Sequence, residues 1–364
     1  MQAYIPESTY NDILKETYDA SYKPEYNGVK FDPDVHLQYY ADEIAKHKFE
    51  NTRRLTMEEL GISSKNSISR IGVSDPFPLF TPEAVAIMKQ EALEKETFLK
   101  YARFNQFSKS GKDCLLRGFV KVGKEIICPF TYEAWTHVKT QELINAIAGV
   151  DLDVIMDYEI AHTNISMKSK EDAAKELKEY DASKGDIVQD DFVVGWHRDS
   201  YPMVCVLMLS DTTKMIGGST SLKTGNGVIS VPGPTLGSAC ILQGGLIEHI
   251  APNPKGVSER ITMVTSYKKK GNQFDTSSLS TVKPESSPGS VVDEFYADWC
   301  GYRNQMIINN LQGIADDIRE NSFNSDAIKA KYMEIQQYLV DTYAKMGFNE
   351  EDIEKMREQY TKKY

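Results

Sequence analysis

Apolar residues change their rhythm near Arg117. Before it they recur at intervals of three and four, as in DVHLQYYADEIAKHK (34–48) and TPEAVAIMKQEALEKETFLKYA (81–102). The second stretch opens with Thr81 as a cap, Pro82 at the first helical position and Glu83 in the first turn, so both stretches predict helices. After Arg117 come short β-rich runs: LLRGFVKVG, DVIMDYEIAHTNISM, DFVVGW, MVCVLML, GGSTSL, GVISV, GSACILQG, IEHIA and RITMVTSY. Gly, Pro, Asn or Asp separates most of them, at the spacing of a sandwich or barrel. Such a run of strands without intervening helices predicts a mainly β core, a double-stranded β-helix or jelly roll of cupin-like form. The expected layout is a mostly helical region 1–115, the jelly-roll core 116–270, a linker or strap 271–293, and C-terminal helices 294–364. In the last region Phe295, Trp299, Tyr302 and Met306 form one packing stripe, and Ile328, Tyr332, Ile335 and Leu339 another.

A polar insertion, 168–190, interrupts the β pattern just before the richest cluster of polar residues. It reads either as a solvated surface helix or as a lid over a site. Composition narrows the class. The chain has 364 residues, 41% hydrophobic and 26% charged, with no apolar run near membrane-spanning length and no basic-then-apolar leader at its start. Five cysteines, Cys114, Cys128, Cys205, Cys240 and Cys300, contain no C-x-x-C pair and read as reduced thiols, so the expected address is cytoplasmic. A net charge of −11 opposes nucleic-acid binding and favours a small-molecule partner. Neither nucleic acid nor membrane is expected as a partner. The oligomeric state stays open, a homodimer included.

The candidate chemistry starts at GWHRDSY (195–201), where His197-x-Asp199 offers two metal donors. With six histidines in the chain the tripeptide can arise by chance, so a third donor must come from elsewhere. His249, in LIEHIAP, lies on a late strand that a jelly roll can bring beside the first pair. Two imidazoles and one carboxylate form the facial triad of non-heme Fe(II) sites, which leaves positions open for ligands. Eleven residues on, Arg260 opens RITMVTSY, and alternation puts Arg260 and Thr262 on one face. An inward Arg requires an anion, and a carboxylate meets its fork best. Arg260 as a surface ion-pair residue is the competing reading.

His197-x-Asp199, then GGST with Thr220, then His249, then Arg260 together resemble the Fe(II)/2-oxoglutarate-dependent dioxygenase superfamily, over roughly 117–270. The Gly217-Gly218-Ser219-Thr220 run is similar to that of the taurine-dioxygenase-like and clavaminate-synthase-like branches. The resemblance implies that His197, Asp199 and His249 bind Fe(II), and that Arg260 holds the distal carboxylate of 2-oxoglutarate with help from Thr220 and Thr262. O2 is then the second cosubstrate, and an unactivated C–H bond is oxidised by hydroxylation, desaturation or cyclisation. The texture also resembles fungal members of the superfamily, including enzymes acting on small amino acids or secondary-metabolite intermediates. Asp199 stands where related halogenases carry a small residue, which argues against halogenation. For the substrate, alternation through DYEIAHTNIS groups Tyr158, His162 and Asn164 on one face, opposite Glu159 and Thr163. Trp196, Arg198 and Gln243 are further candidates, each with a structural reading beside the functional one. Two rival classes stay open: a cupin-like metalloenzyme that does not use 2-oxoglutarate, and a non-catalytic jelly-roll binding protein.

Overall fold

The computed structural model describes residues 5–104, 113–179, 192–252, 254–283, 292–320 and 324–347. Its principal strands are β1 (Ile71–Ser74), β2 (Ala102–Phe104), β3 (Cys114–Leu116), β4 (His162–Met167), β5 (Phe192–His197), β6 (Met203–Met208), β7 (Thr220–Thr224), β8 (Gly227–Val231), β9 (Ser238–Leu242), β10 (His249–Pro252) and β11 (Glu259–Lys269). The helices used below are α1 (Pro82–Leu93), α2 (Pro129–Thr136), α3 (Val138–Ala148), α4 (Lys170–Glu179), α5 (Val292–Arg319) and α6 (Ser325–Ala344). A ten-stranded sheet runs β1-β9-β6-β11-β4-β3-β2, with Arg54–Thr56 outside β1 and two short strands paired to β9 and β11. A second sheet of four strands runs β5-β10-β7-β8. Every strand pair is antiparallel. From β5 onward the chain passes back and forth between the two sheets, so residues near strand ends in one sheet are brought beside those of the other.

Side-chain alternation divides the large sheet into two faces. Ile165, Cys205, Leu207, Ala239, Ile241, Ile261, Met263 and Tyr267 pack with helical residues such as Val85, Met88, Phe130, Trp135, Ile144 and Ile147 in the main core. The opposite face carries Val204, Val206, Val264 and Leu242, which meet Leu222, Ile229 and Val231 of the second sheet. Full burial of such side chains contributes about 1.5–3 kcal/mol each. The helical layer therefore holds one face of the large sheet rigid, while the other face and the small sheet enclose an interior. Helix α1 forms as its start predicts: Thr81 Oγ1 accepts from Ala84 N at 3.3 Å, and Ala84, Val85, Ile87 and Met88 are buried.

Several expectations need correction. Region 1–115, in which helical residues outnumber strand residues, also supplies β1, β2 and most of β3 to the large sheet. DYEIAHTNIS is not one strand: Asp157–Glu159 is a 3-10 turn, Ala161 sits at φ +56°, and the strand begins at His162. Alternation thus cannot be carried from Tyr158 to His162. In the C-terminal stripe Tyr332 and Leu339 are exposed, and α6 instead buries Ile328, Ile335, Tyr338 and Thr342. Within 168–190, α4 is tied to the loop after β10 by Gly256 N, which donates to Glu176 Oε2 at 3.1 Å, and through Lys168, whose Nζ reaches both Glu176 Oε1 at 2.7 Å and Pro254 O at 2.9 Å. The remainder of that insertion, from 180, lies outside the described residues. Of the expected linker or strap 271–293, residues 284–291 lie outside the described residues, and the part before them buries Leu279 and Val282. Among the described residues no helix is long and apolar enough to cross a membrane.

Gln243, between β9 and β10, is fully buried. Its Nε2 donates to Ser69 O at 2.8 Å and Ile71 O at 2.7 Å, while Oε1 accepts from Ile68 N at 3.0 Å and Ser67 Oγ at 3.2 Å. This one amide fastens the loop before β1 to the end of β9. Gln243→Leu strands several half-buried partners, each costing up to about 1–3 kcal/mol, so the variant should lose on the order of 3 kcal/mol in urea unfolding. A midpoint equal to wild type would show the loop to be held by other contacts.

Candidate metal centre

β5 pairs with β10 so that His197 lies opposite His249, and β7 places Leu222 against His249 from the other side. The extended chain through 196–199 turns alternate side chains apart. His197 and Asp199 point one way, whereas Trp196 is exposed, with Lys223 Nζ 4.7 Å from its ring centre. Arg198 also lies outside, donating from Nε to Leu246 O at 3.1 Å. One donor atom from each of His197, Asp199 and His249 lies within 4.8 Å of the other two, the one such cluster of three among the described residues. Asp199 Oδ1 is 3.7 Å from Nε2 of both imidazoles.

The imidazoles are prepared as ligands by their own strands. His197 Nδ1 lies 2.7 Å from Gly195 O, and His249 Nδ1 lies 2.9 Å from Ile247 O. A carbonyl only accepts, so each Nδ1 carries the hydrogen and each neutral ring offers its Nε2 lone pair to the centre. Burial and the neighbouring His249 lower the His197 pKa, outweighing the attraction of Asp199. The neutral, ligating form is favoured. Gly244 completes the arrangement in a way the sequence did not announce. Its carbonyl accepts from Asp199 N at 2.9 Å, and a Cβ built on it would overlap Asp199 Oδ2. Two imidazoles and a carboxylate on one side of a common point suit a divalent transition metal such as Fe(II).

Arg260 and Thr262 lie on the face of β11 that also carries Val264, the face turned toward the small sheet. Burial lowers the Arg260 pKa, and its enclosed Nε has no hydrogen-bond partner among the described residues. A guanidinium in this condition fits an anion that the protein does not itself supply. Thr262 is buried opposite Asn164 and Met208 in adjacent strands. Thr220 opens β7 after Gly217 and Gly218, at φ +82° and +86°, and shares the inward face with Leu222. Gln243, weighed as a substrate contact, is consumed by its four hydrogen bonds to the loop at 67–71.

His162 and Asn164 face the interior from β4, opposite Val264 and Thr262. Near His162 the sequence reading missed a buried polar group. Arg117 Nη2 pairs with Glu159 Oε2 at 2.8 Å, and Tyr201 Oη donates to Glu159 Oε1 at 3.0 Å. Arg103 of β2 is 4% exposed. An Arg inside a short apolar run, as in LLRGFV, is the signal that could have found such residues.

No family model matches the chain, and no curated protein matches it. Among solved structures it is similar to a prolyl 4-hydroxylase from Pseudomonas putida, at 14% identity over 55% of this chain and 94% of that one, TM-score 0.33. It is also similar to a non-heme alpha-ketoglutarate-dependent epimerase from nogalamycin biosynthesis, at 12% identity over 58% and 82%, TM-score 0.38. A third likeness is to prolyl 4-hydroxylases from Phytophthora capsici, at 10% identity over 88% and 99%, TM-score 0.37. At these identities the functional assignment rests on the residues of the site.

Gly244→Ala should weaken metal binding by at least about tenfold, read by competition titration with Co(II), because the new methyl displaces the Asp199 carboxylate. Unchanged affinity would remove Gly244 from the centre. A second expectation concerns pH. Burial, then the charges of Arg117 and Arg103, hold the His162 pKa well below its ordinary value. Below about pH 6.5 the unfolded chain therefore takes up a proton that the folded one refuses, and stability falls with pH by up to about 1.4 kcal/mol per unit. His162→Gln should flatten the stability profile between pH 5 and 6.5 by about one proton; parallel profiles would show that His162 titrates normally.

Proposed function

We propose that this chain is an Fe(II)/2-oxoglutarate-dependent oxygenase built on a jelly-roll core, oxidising an unactivated C–H bond of a small molecule, an amino acid or secondary-metabolite intermediate. The observation that carries the reading is Arg260, whose enclosed Nε has no hydrogen-bond partner among the described residues and which faces the same interior as the converged His197, Asp199 and His249. When bound, iron with 2-oxoglutarate supplies the oxidising chemistry, the cosubstrate leaving as succinate and CO2. The chain's own residues position and exclude. His197, Asp199 and His249 hold the metal from one side and leave its other side to ligands. β10 leaves the metal end and β11 returns to it, so Arg260, at the start of β11, is set at the far end of the interior. There its fork receives the distal carboxylate, with Thr220 and Thr262 as neighbouring hydroxyl donors.

The apolar wall of Val204, Val206, Val264 and Leu222 keeps water from the space between the sheets and strengthens the charge pairing within it. A cupin-like enzyme without 2-oxoglutarate would leave the enclosed Arg260 Nε unmatched, and a binding module would not need two imidazoles set in their ligating tautomer.

Aerobic incubation of the iron-loaded chain with 2-oxoglutarate should give succinate, and His249→Ala should abolish it. Arg260→Lys keeps the charge and loses the fork, so the KM for 2-oxoglutarate should rise by about tenfold or more. Full succinate formation without His249, or an unchanged KM, would sink the assignment.

A further inference from the structure

The buried polar group beside the centre has more positive charge than its known partners neutralise. Arg103 and Arg117 are 4% and 9% exposed, and the accompanying carboxylate, Glu159, is fully buried and already shared by Arg117 and Tyr201. Arg103 makes no ion pair among the described residues, and its Nε has no hydrogen-bond partner. Arg117 Nε, Tyr158 Oη and His162 Nε2 are likewise buried and unpartnered. The groups are mutual neighbours: His162 feels the charge of both arginines, and Arg103 feels Tyr158, Arg117 and Glu159. Among the described residues, four unsatisfied polar atoms and one unneutralised positive charge thus lie in one buried place, a condition that suits an anionic ligand.

The backbone shows this arrangement to be built. Gly118, at φ +59°, leaves room that a Cβ would take from the Tyr158 ring, and its N–H bonds to Tyr158 O at 3.2 Å. Asp298 of α5 accepts from Tyr158 N at 2.9 Å, and Phe295 packs edge-on against that ring at 5.1 Å. Arg103 lies in a cross-strand row with Leu115, Asn164 and Thr262, on the interior face. The start of β4 and the start of β6 lie at the same end of the sheet, because both run antiparallel to β11. That end holds Asp199, and Tyr201 joins the two places directly.

We propose that Arg103, with Tyr158, His162 and Arg117 around it, binds the carboxylate of the primary substrate, which is therefore a small monocarboxylic acid. A monoanion matches the single surplus charge, whereas a phosphate dianion would leave one negative charge unmatched. A carboxylate also accepts in the plane of a guanidinium fork while its second oxygen takes further donors. Arg103 is a binding residue in this assignment and takes no part in proton transfer. The assignment rests on the oxygenase reading only in calling the bound acid the substrate; the anion site itself does not.

The test uses the full chain loaded with Zn(II), so that no turnover occurs, and measures thermal stabilisation by linear and branched carboxylates from acetate to pentanoate, with and without an α-amino group, each against its primary amide. At least one acid should stabilise the wild-type protein where its amide does not, and Arg103→Met should weaken that acid by at least tenfold. Arg103→Met should not lower the melting temperature of the ligand-free protein, since it removes an uncompensated buried charge at similar volume. 2-Oxoglutarate should stabilise wild type and Arg103→Met alike, and Arg260→Met should lose that response. No preference for acid over amide, equal acid binding in Arg103→Met, or a large fall in its melting temperature would overturn the proposal. Loss of the 2-oxoglutarate response in Arg103→Met would assign the residue to the cosubstrate and also overturn it. Failure of wild type to respond to 2-oxoglutarate, with the acid arm intact, would sink the oxygenase reading alone.

Discussion

The antiparallel pairing of β5 with β10 is the constraint from which the site follows. It sets His197 opposite His249, with irregular register between Phe192 and His197 adjusting the approach. A slip of one residue would turn one imidazole to the outer face and leave two donors, not three. Each imidazole is then oriented by the carbonyl two residues before it, Gly195 or Ile247. The same local device serves both strands, so ligand direction is a property of backbone geometry. Asp199 depends on a third element, the Gly244 carbonyl that holds its amide and the missing Cβ that gives its carboxylate space.

Much of this was legible because strand alternation writes itself into sequence. Short β-rich runs with turn residues marked most strands of both sheets, and His197-x-Asp199 followed by a distant His249 and Arg260 supplied donor types in an order that only the resemblance to a known superfamily turned into one set. What escaped depends on approaches between segments far apart in the chain. Gly244 looks like any turn glycine until Asp199 is placed against it. Gln243 has the composition of a substrate contact, and only the loop at 67–71 shows that its amide is fully used. Four-residue and shorter strands such as β1, β2 and β3 carry too little periodicity to be told from the helices around them, so Arg103 was hidden in a region read as helical. Ala161, at φ +56°, breaks an alternation that no residue type announced.

The interior combines apolar walls with groups that are costly to bury. Arg260 and Arg103 have no ion-pair partner among the described residues, and burial lowers the pKa of both. Desolvating such a charge costs several kcal/mol even after relaxation. The fold can carry that because the opposite face of the large sheet is closed by a continuous helical core, in which residues such as Trp135, Phe130 and Met263 have almost no exposure. Apolar packing is concentrated on one face, and the charges that are costly to bury lie on the other. Arg117 marks the contrast: paired with Glu159, it is held charged, and Glu159 ties it to Tyr201 and so to the segment that carries Asp199.

The C-terminal third belongs to the same argument. Ser278 N donates to Ser200 O at 2.7 Å and Thr281 N to Ser200 Oγ at 3.0 Å, so the strap fixes the residue immediately after Asp199. Helix α5 packs Phe295 and Trp299 into a cluster with Tyr158, Tyr201 and Leu279. Trp299 is anchored in turn to α6 through Thr342 O at 3.1 Å, and Arg303 to Thr342 Oγ1 at 2.7 Å. A chain of contacts thus runs from α6 through α5 and residues 278–281 to Ser200 and Tyr201, which follow Asp199, and to Tyr158. The amphipathic helices at the end of the sequence do not decorate the β core; they form the wall against which one side of its site is set.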